Sequence, residues 1–83
     1  MAVYVITDEQ VEAALALKAL HGDNPKIAPC ECGGTVSEYF DAPKCPGCGL
    51  RTAFAGDWAL EVAYWNIGIR HPKGTRYTYE GDR

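Results

Sequence analysis

The 83-residue sequence has little excess charge of either sign. Eight lysine and arginine residues stand against eleven aspartate and glutamate residues, a net charge of −3. A dedicated duplex-DNA binder carries a strongly basic field, and imitation of DNA requires dense acidity, so the composition argues against both classes. The charge is uneven, however. Residues 1–41 hold seven acidic and two basic side chains, whereas residues 42–83 hold six basic and four acidic ones.

The sequence also lacks a long hydrophobic run at its start. The apolar residues 3–6 are followed closely by Asp8 and Glu9. A signal peptide needs a longer apolar segment after a positively charged start, and a membrane-spanning helix needs about 20 apolar residues. We therefore expect no membrane segment and a cytoplasmic location, where thiols stay reduced.

Four cysteines are present, in two close pairs. One residue separates Cys30 from Cys32, two residues separate Cys45 from Cys48, and twelve residues lie between the pairs. Zinc binds four such ligands tetrahedrally, and short Cys-x-Cys or Cys-x-x-Cys turns aim two sulfurs at one point. The spacing predicts one structural zinc ion. Because the apolar core of so short a chain is marginal, metal binding is expected to be part of folding.

Other uses of the thiols fit the sequence less well. Disulfides require an oxidising compartment, and a redox dithiol at Cys45 and Cys48 requires a strand-helix-strand context that the following residues do not offer. Iron would use the same four ligands, so this alternative to zinc stays open. His21 and His71 are possible substitute ligands, although each better fits a surface position at a helix end.

Local signals predict two helices. The Thr7 hydroxyl and the Gln10 side chain can form a capping box at the start of the first helix, which should end near His21 and Gly22. Asp57 can cap a second helix from about Trp58 to Ile67, with Gly68 as its stop. Between the helices, residues 35–40 and 50–54 have the β-branched and aromatic content of strands, and residues 41–44 suit the turn between them.

These elements predict a small α+β fold, in which a zinc ribbon, a β-hairpin carrying two cysteine knuckles, is flanked by an N-terminal and a C-terminal helix. We expect a single domain with four parts: residues 1–22 (strand and helix), 28–54 (zinc ribbon), 57–68 (helix) and 70–83 (polar tail).

The second helix is apolar on two nearly opposite sides. One stripe consists of Trp58, Val62 and Trp65, and the other of Leu60, Tyr64 and Ile67. Such a helix does not bury one face and expose the other. Either it lies between the first helix and the ribbon, or one stripe contacts a partner protein or a second copy of the chain. In the latter case the partner-contacting residues are Trp58, Tyr64, Trp65 and Asn66.

The tail interleaves basic residues with Tyr77 and Tyr79. This pattern allows contacts with phosphates and stacking on bases, so a nucleic-acid-binding ribbon is an alternative function. The residues that would serve it are Lys44, Arg51, Arg70, Lys73 and Arg76. The tail can equally be a frayed, solvated terminus or one added strand over residues 76–79.

Three segments resemble the small phage and prophage zinc-ribbon proteins of the restriction alleviation (Lar-like) family. Ala-Pro-Cys-Glu-Cys-Gly-Gly at 28–34 is similar to the family's Pro-Cys-Pro-x-Cys-Gly-Gly opening, although one residue shorter between the cysteines. Residues 44–52 contain the Cys-x-x-Cys-Gly knuckle, and residues 59–70 the helix ending in Trp-Asn and an arginine, with Ile-Gly-Ile inserted before that arginine. The resemblance covers about half of the chain.

The resemblance implies a virus-encoded accessory protein that moderates a host defence system, type I restriction in that family, by binding a host protein. The four cysteines would be the zinc ligands, and Trp65 and Asn66 would carry the helix signature. The sequence holds no Ser-His-Asp or Cys-His arrangement and no phosphate-cradling glycine loop, and four thiolates leave zinc no open position. We therefore expect no enzymatic activity.

Overall fold

The computed structural model describes residues 3–22, 26–34, 36, 43–52 and 56–81. In chain order its elements are β1 (Val3–Ile6), α1 (Asp8–His21), β2 (Leu50–Arg51), α2 (Trp58–Asn66), β3 (His71–Pro72) and β4 (Arg76–Tyr79). Two helices and short strands confirm the predicted small α+β class. Neither helix in these ranges has the length and apolar content needed to cross a membrane.

Helix α1 begins and ends where its local signals predict. The backbone N–H of Gln10 donates to Thr7 Oγ1 (3.1 Å), and the backbone N–H of Thr7 donates to Gln10 Oε1 (2.9 Å), which completes the capping box. At the other end, Gly22 adopts a φ of 66° and its N–H donates to the carbonyl of Lys18. Positive φ is accessible to glycine at little cost, so the chain can leave the helix there.

Helix α2 begins at the predicted cap and is tied to α1. Asp57 Oδ1 accepts a hydrogen bond from the N–H of Leu60 (3.2 Å), and Asp57 Oδ2 pairs with Lys18 Nζ at 2.7 Å. This ion pair lowers the pKa of Asp57, with help from the helix amides that the carboxylate caps. The helix ends at Asn66, one residue before the predicted end.

The first strand pair joins segments distant in the sequence. Strands β1 and β4 are parallel, with Val3 opposite Arg76 and Ile6 opposite Tyr79. The added strand predicted over residues 76–79 is therefore present, and the alternative of a frayed terminus is wrong for this segment. Parallel pairing is possible because the intervening chain, including both helices, provides the long crossover that it requires.

The second strand pair lies beside the cysteines. Strand β2 pairs antiparallel with β3, so that Arg51 lies opposite His71, and an isolated antiparallel bridge joins Lys44 to Arg51. The residues predicted to form the other strand of the ribbon hairpin, 35 and 37–40, lie outside the described ranges. In the described part of the chain, the strand partner of β2 comes from the tail.

Two groups of buried side chains surround α2. The first, core cluster 1, joins the helices to β1 and consists of Ile6, Ala14, Ala63, Tyr64 and Ile69. The second, core cluster 2, contains Cys30, Cys45 and Trp65. The relative exposure is 1% for Tyr64 and 0% for Trp65. The helix is therefore packed on both sides, which is the first of the two arrangements considered, and Tyr64 and Trp65 are buried and not exposed.

Candidate metal centre

The four cysteine sulfurs converge on one point. Among the described residues, Cys30, Cys32, Cys45 and Cys48 form a group whose ligand atoms all lie within 4.8 Å of one another. Two contacts join the two pairs: Cys30 Sγ is 3.4 Å from Cys48 Sγ, and Cys32 Sγ is 3.5 Å from Cys45 Sγ. The twelve-residue interval thus brings the pairs together, as predicted.

These separations fit a tetrahedral metal site. A tetrahedron with metal–sulfur bonds of about 2.3 Å places its sulfurs about 3.8 Å apart. A disulfide would require a sulfur–sulfur distance of about 2.05 Å, and all four cysteines are free thiols. Cys30 and Cys45 are buried and Cys32 and Cys48 are exposed. The centre is therefore anchored in the core on one side and open to solvent on the other.

The short first knuckle closes through its two glycines. The N–H of Gly33 donates to the carbonyl of Cys30 (2.9 Å), and Gly33 adopts a φ of 85°. A Cβ on the next residue, Gly34, would lie 3.0 Å from Cys45 Sγ and 3.3 Å from Cys32 Sγ. A side chain at this position would push against two sulfurs, so the backbone of Gly34 forms part of the wall of the centre.

The second knuckle is a tight turn that leads into a strand. The N–H of Gly49 donates to the carbonyl of Cys45 (2.8 Å), and the N–H of Cys45 donates to the carbonyl of Leu50 (2.9 Å). Gly49 adopts a φ of 80°, the conformation in which glycine avoids the steric cost of a Cβ. This turn places Cys45 and Cys48 on the same side of the backbone.

Backbone amides also contact the sulfurs. The N–H of Cys48, together with hydrogen bonds from the other three thiols, lowers the pKa of the Cys45 thiol from 9.0 to about 6, against the effect of burial. The N–H of Gly34 acts in the same direction on Cys32, but hydrogen bonding with the other three thiols outweighs it and raises the pKa of Cys32 to about 12. One sulfur is thus favoured as thiolate while its neighbour retains a proton. A cation among the sulfurs would favour the deprotonated form of all four.

Helix α2 holds the segment that precedes the first knuckle. Trp65 Nε1 donates to the carbonyl of Ala28 (2.8 Å). Asn66 Oδ1 accepts from the N–H of Ala28 (2.8 Å), and Asn66 Nδ2 donates to the carbonyl of Lys26 (2.8 Å). Three hydrogen bonds from two adjacent residues of α2 therefore fix the backbone two and four residues before Cys30. In this structure the predicted partner residue Asn66 serves an internal contact, and Trp58 is half-buried.

Arg70 belongs to the same assembly. Its guanidinium lies 4.3 Å from the centre of the Trp65 ring, and its Nε donates to the carbonyl of Trp65 (2.9 Å). Stacking of this kind stabilises both side chains. Arg70 also lines a cleft with Cys30, Glu31 and Cys32. This placement separates it from the other basic residues predicted to bind nucleic acid.

Three of those basic residues come together elsewhere. Lys44, Arg51 and Lys73 line one cleft beside the second knuckle. Arg76 is exposed on β4 and is not among the residues that line this cleft. Of the five basic residues predicted to bind nucleic acid, three therefore lie together, Arg70 packs on Trp65, and Arg76 lies outside the cleft.

Neither histidine joins the sulfur group among the described residues. His21 is the exposed last residue of α1, as predicted. His71 lies in β3 and not at a helix end. Its ring centre is 4.3 Å from that of Tyr4, and its Nδ1 is hydrogen-bonded to the Tyr77 hydroxyl (2.9 Å). His71 is therefore part of the packing between the two strand pairs.

The roles of Gly34 and Arg70 at the centre do not follow from the cysteine spacing. The Gly-Gly pair after Cys32 and the arginine after the Trp-Asn pair were the available signals, since both recur in the resembled family. Neither pattern predicts that Gly34 lies against two sulfurs or that Arg70 packs on the Trp65 ring. No protein-family model, curated protein or solved structure matches this chain.

Proposed function

We propose that Cys30, Cys32, Cys45 and Cys48 bind one zinc ion with a structural role. The observation that carries this proposal is the convergence of four sulfurs within 4.8 Å from two separate segments. Zinc is favoured over iron because two short cysteine pairs at so close an interval are typical of zinc knuckles. The ion would supply the positive charge that lets all four sulfurs ionise.

We also propose that the segment around the four cysteines is a zinc ribbon. The bridge between Lys44 and Arg51 supports this arrangement, since the chain reverses direction around the second knuckle. The proposed role of the ion is non-catalytic. Four protein ligands leave no coordination position for a substrate or water, and the protein is proposed to act by binding and not as an enzyme.

Elemental analysis of the purified protein tests the metal. We expect one zinc per chain, and loss of folded structure in circular dichroism after addition of a strong chelator, because zinc binding in small domains contributes on the order of 10 kcal/mol to folding. Cys45→Ser should reduce the zinc content. Ala16→Ser, at an exposed position of α1, is the control and should leave the zinc content unchanged. Iron in place of zinc, or no metal with an unchanged circular dichroism spectrum, would contradict the proposal.

At the level of the whole protein, we propose a phage-type accessory factor that binds a host protein and moderates a defence system such as restriction. The resemblance of residues 28–70 to the restriction alleviation proteins supports this role. An apolar groove between α1, α2 and β4 also supports a protein partner. Its floor includes Leu60 and Tyr64, and at its edge Leu15 and Tyr79 are 49% and 41% exposed.

A phage plating assay tests this role. Unmodified phage should form more plaques on a host with type I restriction when that host expresses the protein. Leu15→Glu places a charge in the groove and should abolish the gain, whereas Leu20→Glu places the same charge on α1 at a residue that is 81% exposed and does not line the groove. No gain in plating, or equal loss with both variants, would contradict the proposal.

A further inference from the structure

Like charges lie directly across the strands beside the second knuckle. Lys44 is opposite Arg51 in the antiparallel bridge, and Arg51 is opposite His71 in the β2–β3 pair. Residues directly opposite one another project to the same face of a sheet, where two like charges destabilise the pair. The fold therefore places two full positive charges side by side at a cost that an anion would remove.

A groove adjoins these strands. One cleft is lined by Lys44, Cys45, Pro46, Gly49, Arg51 and Lys73, and a second by Arg51, Pro72, Lys73, Gly74, Thr75 and Tyr77. Because both clefts include Arg51 and Lys73, they adjoin one another. None of the residues that line them is acidic. The groove thus offers three cations, the hydroxyl of Thr75 and one aromatic side chain.

These cations are not neutralised within the described residues. The ion pair found there joins Lys18 to Asp57. No hydrogen bond from Lys44, Arg51 or Lys73 to a carboxylate is found in the same ranges, and none reaches a cysteine sulfur. Cys45 borders the groove, but its relative exposure is 0%. The negative charge of the thiolate centre is therefore not directly paired with the three basic side chains.

We propose that this groove, named here the basic groove and defined by Lys44, Arg51, Lys73, Thr75 and Tyr77, binds the phosphodiester backbone of single-stranded nucleic acid. A row of cations along an open groove matches a chain of phosphates better than a single small anion. An aromatic side chain among the cations suits a strand whose bases are unpaired. The proposal goes beyond the proposed host-protein contact and concerns a different class of partner.

The number of cations in the basic groove sets the expected dependence of binding on salt. Three phosphate contacts on a single strand give a slope of about −2 in a plot of log K against log salt, because each contact contributes about 0.7. Binding is therefore weak at physiological salt and strengthens steeply as salt is lowered. Each cation removed should reduce the slope by about 0.7.

Fluorescence anisotropy with a labelled, mixed-sequence single-stranded DNA oligonucleotide tests the proposal on the full chain loaded with zinc. Arg51→Gln and Lys73→Gln should each lower affinity by about fivefold and flatten the salt slope. Arg76→Gln and Lys26→Gln are matched controls, since each removes the same charge from an exposed residue that does not line the basic groove. Arg51→Lys keeps the charge at its position and should retain most of the affinity.

Zinc content and circular dichroism of every variant establish that it is folded before binding is measured. Stronger binding of the single strand than of the duplex of the same sequence is the expected result. No binding at low salt, equal losses with the groove variants and the matched controls, or equal binding of poly-glutamate would overturn the proposal. Because these measurements need no host, they are independent of the plating assay.

Discussion

Gly34 shows how closely the backbone surrounds the sulfurs. The distance of 3.0 Å from its Cβ position to Cys45 Sγ is shorter than ordinary van der Waals contact, and Cys32 Sγ is at 3.3 Å. Gly47 is positioned similarly on the other knuckle, but a Cβ there would lie 3.7 and 3.8 Å from the same two sulfurs. The two glycines therefore differ in the space available to one methyl group.

Gly34→Ala should weaken zinc binding by about 10- to 100-fold, the range typical when groups that support metal ligands are disturbed. The added methyl group displaces Cys45 or Cys32 from the tetrahedral arrangement. Competition with a chromophoric chelator measures the change. Gly47→Ala is the control and should bind zinc like the original chain. Equal affinity of both variants would show that the sulfurs move without cost.

His71 should make the stability depend on pH. Burial lowers its pKa below 6.5 in the folded protein, where Arg51 lies opposite it in the strand register and the rings of Tyr4 and Tyr77 are close. The unfolded chain therefore binds more protons at this site as the pH falls through 6.5. The free energy of unfolding decreases over that interval and levels off below the folded pKa.

Urea unfolding of the zinc-loaded protein on both sides of pH 6.5 measures this effect. His71→Gln should reduce the loss of stability at the lower pH, since glutamine does not titrate. An unaltered dependence in His71→Gln would mean that protonation of this ring does not oppose folding.

For single residues, the sequence predicted those roles that follow from the chemistry of the side chain. Four cysteines at this spacing predicted a common centre because only a few backbone turns bring such pairs together. The burial of Tyr64 and Trp65 was not predictable in the same way. A helix with two apolar stripes is compatible with two internal neighbours or with one neighbour and a partner, and only the packing distinguishes them.

Helix α2 is the element that connects the two cores. Adjacent residues serve different clusters, with Tyr64 in core cluster 1 and Trp65 in core cluster 2. Consecutive helix residues point about 100° apart, so two neighbouring side chains can enter two separate cores. This explains why the helix is apolar on both sides. Trp65 and Asn66 also have a structural role, since they hold the segment that precedes Cys30.

Asn66→Ala should destabilise the zinc-loaded protein by about 1 to 3 kcal/mol, because the Ala28 N–H and the Lys26 carbonyl lose their partner. Zinc affinity should fall as well, since the first knuckle is less firmly held. Lys26→Ala is the control: Lys26 contributes its backbone carbonyl to this contact, and its side chain is exposed. Unchanged stability in Asn66→Ala would mean that solvent replaces both hydrogen bonds.

Helix boundaries were predictable and strand partners were not. Caps such as Thr7 with Gln10 and Asp57 with Leu60 depend on residues three positions apart, so the sequence specifies them locally. The pairing of β1 with β4 and of β2 with β3 joins segments that no short pattern relates. The pairing of the tail with β2 and β1 depends on the path of the whole chain.

For the whole molecule, loss of the metal should affect both cores. Trp65 packs against Cys30 and Cys45 in core cluster 2, and the preceding residue, Tyr64, belongs to core cluster 1. Since one helix supplies both clusters, we expect them to unfold together. The chain contains two tryptophans, so Trp58→Phe leaves Trp65 as the sole indole reporter of core cluster 2.

Titration of Trp58→Phe with a chelator should shift the Trp65 emission to longer wavelength as water reaches the ring. The helical signal in circular dichroism should decrease with the same midpoint. The same chelator titration of the original chain, followed by circular dichroism, shows whether Trp58→Phe itself alters the unfolding transition. A helical signal that persists after the emission has shifted would show that core cluster 1 folds without the metal.

The parallel pairing of β1 with β4 has a consequence for synthesis on the ribosome. The chain emerges from its N-terminal end, so Val3–Ile6 is available long before Arg76–Tyr79 has been made. During that interval β1 lacks its strand partner, and Ile6, fully buried in the finished protein, lacks part of its cover. Contacts between residues so far apart also slow folding. All four cysteines have therefore been synthesised well before the nascent chain can complete the pairing of β1 with β4.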